Sequence, residues 1–224
     1  MTQAQPPRLE TSMPLIMAAA SSGLPSFCQK TGFHFCDAEE IVDSIQTAGL
    51  WVGPRPILEG DSNFRQTIPY IVLRYGDKIV QYTRTASGGE GRLHGRTSIG
   101  LGGHIDLDDI VSINSQIDLP NTLANAAARE LEEELGITEF QEQRWIGLLV
   151  DNESAVGRVH IGVVGLWTLR ELPSGASEDA IGNVELCSLD RLLASKDVME
   201  TWSLMLLPEI ESQLLKQPSR TRAA

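Results

Sequence analysis

A single uninterrupted helix signal, set between strand signals, constrains this chain more than any other feature. Thr122 is a good helix N-cap, residues 123–135 hold no Gly or Pro and many strong helix formers, and Gly136 supplies the stop. Ahead of it, "IPYIVLRY" (68–75) and "KIVQYTR" (78–84) are β-branched and aromatic runs separated by Gly76-Asp77, the pattern of a hairpin. Behind it, "RWIGLLV" (144–150) and "RVHIGVVGLWTL" (158–169) read as two more strands joined across "DNESAVG". Strands surrounding a capped helix predict a layered α/β domain.

The 224 residues are 42% hydrophobic, enough for one sizeable core. The organisation predicted is a tail and small helical appendage over 1–65, a main domain over 66–216 and a short tail over 217–224. In the appendage, "DAEEIVDSIQTA" (37–48) offers an N-cap Asp, early acids and a following Gly49, and "WVGPRPILEGDSNFRQ" reads as an irregular connection. Two helices are expected near the C-terminus, the second, 196–215, broken at Pro208. A formal net charge of −12 argues against nucleic acid and anionic membranes as partners. Three cysteines without a CxxC pair suggest neither a disulfide framework nor zinc, and point to the cytoplasm. The apolar stretch 13–20 is preceded by Glu10 as well as Arg8, a poor signal-peptide start.

The helix carries "ELEEE", four carboxylates in five positions. At about 100° per residue, Glu130, Glu133 and Glu134 fall within about a third of the circumference and Glu132 points elsewhere. Leu123, Ala127, Leu131 and Leu135 form an adjoining apolar stripe, so the acids border a buried layer. Like charges at these spacings each cost about 0.2–0.5 kcal/mol on an exposed helix. Arg129 offsets part of that. Two readings stand side by side: an oxygen-only cradle for a hard ion such as Mg²⁺ or Mn²⁺, or a solvated acidic face.

The run Arg129-Glu130-Leu131-Glu132-Glu133-Glu134-Leu135-Gly136-Ile137 matches every specified position in the second half of the Nudix box, R-E-U-x-E-E-x-G-U with U aliphatic. "LGGHI" (101–105) looks like the Gly-Gly turn that opens the box, and "NTLANAAARE" resembles its helix entry. The chain thus resembles the Nudix hydrolases, and within them a bacterial branch of Nudix-type phosphoesterases over 68–167. The box is interrupted: Gly103 and Arg129 lie 26 positions apart, twelve more than the pattern has, and Asn121 stands where it has a glutamate.

The resemblance implies an α/β/α sandwich with a mixed sheet, and a metal-dependent hydrolase that cleaves a diphosphate linkage by water attack on phosphorus. It implies Mg²⁺ or Mn²⁺ on Glu130, Glu133, Glu134 and the Gly103 carbonyl, Glu130 as ligand or base, and Arg129 orienting a glutamate. The expected partner is a small diphosphate substrate, and a homodimer is in keeping with the family. Five basic residues against two acids between Arg74 and Arg96 make Arg84, Arg92 and Arg96 candidate phosphate contacts, each equally readable as a surface arginine. His104 and His160 are further candidate contacts, His160 being as readily a core histidine. Glu153 and Glu178 are loop acids that could serve as the base or merely face solvent. The alternative function is a Nudix-like module that binds a nucleotide or sugar diphosphate without cleaving it. Isomerisation of a diphosphate on the same fold is disfavoured, because no cysteine motif lies near the box.

Overall fold

The longest strand organises the molecule. In the computed structural model, which describes residues 13–86, 94–173, 175–177 and 179–215, twelve residues form β4 (Phe64–Tyr75). Gly76, at φ 62°, turns the chain back into β5 (Lys78–Arg84). Before them come β1 (Leu15–Ala20), β2 (Gly32–Phe35), α1 (Ala38–Ala48), β3 (Leu50–Pro54) and the single turn α2 (Arg55–Leu58). After them come β6 (Thr97–Ser98), β7 (Gly100–Leu101), the small hairpin β8 (Ser112–Ile113) and β9 (Gln116–Ile117), and α3 (Leu119–Leu135). The chain ends with β10 (Phe140–Val150), β11 (His160–Leu169), β12 (Ile181–Cys187), α4 (Leu189–Ala194) and α5 (Thr201–Leu215).

The main sheet runs β12-β5-β4-β11-β10-β2, with β1 and β7 also on β4, β3 on β1 and β6 on β5. Only the β4–β11 pairing within it is parallel, so the sheet is mixed. Alternation along β4 sends Ile71 and Leu73 toward Leu131 and Leu135 of α3, and Tyr70 and Val72 toward Leu206 and Ile210 of α5. Helices cover both faces, giving the expected α/β/α sandwich.

Several local expectations need correction. The cap of α3 is Asp118, whose side chain accepts from the Asn121 amide at 3.2 Å, and not Thr122. Thr122 is buried and accepts from Val111 N at 3.0 Å. The final helix starts at Thr201, after a short 3₁₀ turn over Lys196–Val198, and runs through Pro208 unbroken. One lost hydrogen bond is outweighed there by the burial of Leu206, Leu207 and Ile210. The stretch read as an irregular connection contains the end of β3, α2 and the start of β4. Within 1–65, α1 forms as expected, with a capping box of Asp37 and Glu40. The same stretch also supplies three strands to the main sheet, and Ile41 and Ile45 pack in one cluster with Leu119, Leu123 and Leu148.

Candidate functional site

The chain reaches α3 through two glycines under pressure from both sides. A side chain at Gly102 would put its Cβ 1.8 Å from the Pro69 carbonyl oxygen, and one at Gly103 would lie 2.2 Å from Oε1 of Glu130. Neither glycine has a positive φ. The Gly-Gly pair is therefore required by close approach, Gly102 against the backbone of β4 and Gly103 against Glu130 on the acid face of α3.

Arg129 is the hub of that face. Its Nε and Nη2 donate to Oδ1 and Oδ2 of Asp109 at 3.0 and 2.9 Å, and Nη2 also donates to the His104 carbonyl at 2.9 Å. Its Nη1 donates to Oε1 of Glu130 at 2.8 Å and to Oε2 of Glu133 at 3.0 Å. These contacts, above all the hydrogen bonds to Asp109, raise the Arg129 pKa and hold it charged. Burial raises the Glu130 carboxyl above the usual glutamate value, against the opposing pull of Arg129.

The four acids of the helix separate. Glu132 and Glu133 are exposed, Glu130 is largely covered and Glu134 is buried. Burial chiefly raises the Tyr82 pKa and the neighbouring Tyr82 chiefly raises that of Arg84, with the charge of Glu134 adding to both. Arg84 itself sits 5.5 Å from the centre of the Tyr82 ring, and its buried Nε has no hydrogen-bond partner among the described residues.

His104 joins the site through its carbonyl, while its ring bonds Gln66 of β4 at 2.7 Å and lies 5.6 Å from the ring of His160. Burial, then Arg55, pushes the His104 imidazole down to about 3, so it is neutral. His160 bonds the Val156 carbonyl through Nδ1 at 2.8 Å. Arg96 is exposed and donates to the Asp197 carbonyl beside α5, not to the acid face. Glu153 is exposed in a loop folded around Asp151, which accepts from the amides of Glu153 and Ser154. Arg92 and Glu178 lie outside the described residues.

The expected ligands are hard oxygen donors, and the approach of Gly103 to Glu130 forms the kind of cradle that a side chain would fill, so their chemistry fits Mg²⁺ or Mn²⁺. Among the described residues, no three His, Cys, Asp or Glu side chains are disposed to hold a metal ion. The guanidinium of Arg129 bridges Glu130 and Glu133, and Glu134 is buried. Sequence reading missed Asp109 and Gln66. Asp109 follows Gly103 by six residues, the offset the box has between its glycine and its acid, so counting forward from the glycine rather than back from Arg129 would have found it.

A mixed sheet between two helix layers, with this glutamate helix against a Gly-Gly strand end, is the fold of the Nudix hydrolases. Tm1382, a candidate Nudix hydrolase, superposes with a TM-score of 0.70 at 23% identity, over 89% of this chain and 99% of that one. A Nudix hydrolase from Nitrosomonas europaea gives 0.50 at 15% identity, over 71% and 97%. The Nudix domain of Shewanella oneidensis NrtR, solved with ADP ribose, gives 0.50 at 15%, over 68% and 89%. Among curated proteins, the chain is 40% identical over 114 residues to Protein YmaB of Bacillus subtilis (strain 168), spanning 50% of this chain and 53% of that protein. The match thus covers about half the length of its relative. No protein-family model matches the chain.

Proposed function

We propose that the chain is a Nudix-type hydrolase, dependent on Mg²⁺ or Mn²⁺, that cleaves a diphosphate linkage in a nucleoside diphosphate derivative or a related small molecule. The observation carrying this reading is the charge-linked set of Arg129, Glu130 and Glu133 pressed against Gly103, on a Nudix fold. Glu130, Glu133, Glu134 and the Gly103 carbonyl would hold the ion. When bound, it would neutralise phosphate oxygens and lower the pKa of a water. Glu130 would serve as a further ligand or as the base, and burial holding its carboxyl above the usual glutamate value supports the second role. Arg129 keeps Glu130 and Glu133 at a fixed separation through one nitrogen. Neutral His104, with His160, and the arginines Arg84, Arg92 and Arg96 are the proposed substrate contacts, and Glu153 or Glu178 would be the alternative base.

No helix among the described residues is long and apolar enough to cross a membrane. A cytoplasmic location belongs to the proposal, supported by three buried free thiols, Cys28, Cys36 and Cys187. So does a homodimer, on the family likeness alone.

The test is hydrolysis of nucleoside diphosphate sugars, dinucleoside polyphosphates and nucleoside triphosphates with Mg²⁺. Turnover should fall by roughly 10²–10⁴-fold in Glu130→Gln, the range a positioned acid or base supplies, and clearly in Glu133→Gln combined with Glu134→Gln. Glu132→Gln should match the parent, since that side chain is exposed and off the site face. No turnover of any compound, or full turnover in the double variant, would sink the reading. Binding of a compound such as ADP ribose without cleavage would favour a binding module.

A further inference from the structure

The turn between β10 and β11, residues 151–159, is built around a buried carboxylate. Asp151 accepts from the amides of Glu153 at 2.8 Å and Ser154 at 3.2 Å, and from the Ser154 hydroxyl. Gly157 closes the turn, since a Cβ there would lie 2.4 Å from the Asp151 side chain. The ring of His160, at the head of β11, bonds the Val156 carbonyl and is tied to the same turn. These local bonds fix the shape of the turn. They do not fix where it sits on the sheet.

Its seat comes from Arg65 of β4, the last residue of the stretch read as an appendage. Arg65 is 9% exposed, and burying a guanidinium is costly unless its N–H groups are paired. Its Nη1 donates to the carbonyls of Gly157 at 3.1 Å and His160 at 3.3 Å, and its Nη2 donates to Oδ1 of Asn152. One planar fork thereby spans both ends of the turn. Asn152 carries the tie further: its backbone amide donates to Oγ1 of Thr31 at 3.0 Å, and its Nδ2 to the Cys28 carbonyl at 3.2 Å. The turn is thus gripped from β4 on one side and from residues 28–31 on the other. In the parallel pairing of β4 with β11, His160 stands opposite Gln66, the neighbour of Arg65. Gln66 bonds the His104 ring, which lies 5.6 Å from the ring of His160. Two adjacent residues of β4 therefore set the histidine pair, Gln66 through the ring of His104 and Arg65 through the main chain of His160.

We propose that Arg65, with Asn152, is a positioning pair that seats the 151–159 turn and so holds the His160 ring against His104 for contact with substrate. The inference rests on the reading of His104 and His160 as substrate contacts for its kinetic consequence, and on the Arg65 and Asn152 bonds for the seating itself. A lysine at position 65 keeps the charge but not the fork, because a single ammonium cannot reach three acceptors at the two ends of the turn.

Seating and consequence are measured separately on the full-length chain. In spectra of histidine-labelled protein, the ring protons of His104 and His160 should show a cross-peak in the parent that is lost in Arg65→Lys and in Asn152→Ala. With a compound that the parent hydrolyses, KM should rise by roughly tenfold in each variant while kcat stays within about threefold, the pattern of a lost contact that ground and transition states share. A double-mutant cycle decides whether Arg65 acts through His160: adding Arg65→Lys to His160→Gln should leave KM within about twofold of His160→Gln alone, whereas independent effects would multiply. Melts of each variant identify unfolding, and Asn152→Ala, at a half-buried position, carries the test if Arg65→Lys does not fold. A ring cross-peak retained in the folded variants, an unchanged KM, or effects that multiply in the cycle would overturn the proposal. If the parent hydrolyses none of the compounds, the hydrolase reading fails, and the cross-peak still decides whether Arg65 and Asn152 seat His160.

Discussion

The histidine next to Gly103 links the site to the stability of the whole fold. An unfolded imidazole takes up its proton near 6.5, whereas burial, and then Arg55, pushes folded His104 down to about 3. Between those values the unfolded chain binds the extra proton, so the contribution is full above about pH 6.5 and is lost as pH falls toward 3. The slope from one such group is at most about 1.4 kcal/mol per pH unit. Urea melts from pH 7.5 to 4 should therefore be shallower in their pH dependence for His104→Gln, which keeps a donor for Gln66. Equal slopes in the two proteins would refute the assignment. The position of His104 in "LGGHI" was visible in the sequence, but its neutrality was not, because burial and Arg55 come from elsewhere in the chain.

At the scale of elements, the Gly-Gly strand end and α3 depend on each other in two distinct ways. A methyl group at Gly103 meets the flexible tip of Glu130, which can swing aside at little cost, whereas a methyl at Gly102 meets the Pro69 carbonyl, which cannot. Gly103→Ala should keep its melting temperature within a few degrees and lose most of its activity, because Glu130 leaves Arg129. Gly102→Ala should lose stability outright, by about 1–3 kcal/mol or more, as overpacked sites do. Comparing melts and turnover of the two variants checks both, and a fully active Gly103→Ala would contradict the close approach. The strands β4, β5, β10 and β11 were legible because their β-branched runs are long and bounded by turn residues. β1 was not, because "LIMAAA" has weak strand preference and becomes a strand through its pairing with β3 and β4.

For the molecule as a whole, residues 13–65 pack into the core and the main sheet. Ile45 is fully buried in a cluster that also holds Leu119 and Leu123 of α3 and Leu148 of β10. Ile45→Ala should lower the single unfolding transition by about 2–5 kcal/mol. A denaturant melt followed by tryptophan fluorescence would show it, and an unchanged main transition would mean that α1 folds apart from the sheet. The sequence by itself determined the α/β character, the acidic helix, its glycine entry and its three same-face glutamates, because these follow from local periodicity and capping. Only the tertiary structure decided that Glu134 is buried while Glu133 stays exposed, that Asp118 and not Thr122 starts α3, and that Pro208 is carried within a helix. Those outcomes rest on burial and on charges meeting across the fold, which a one-dimensional pattern does not record.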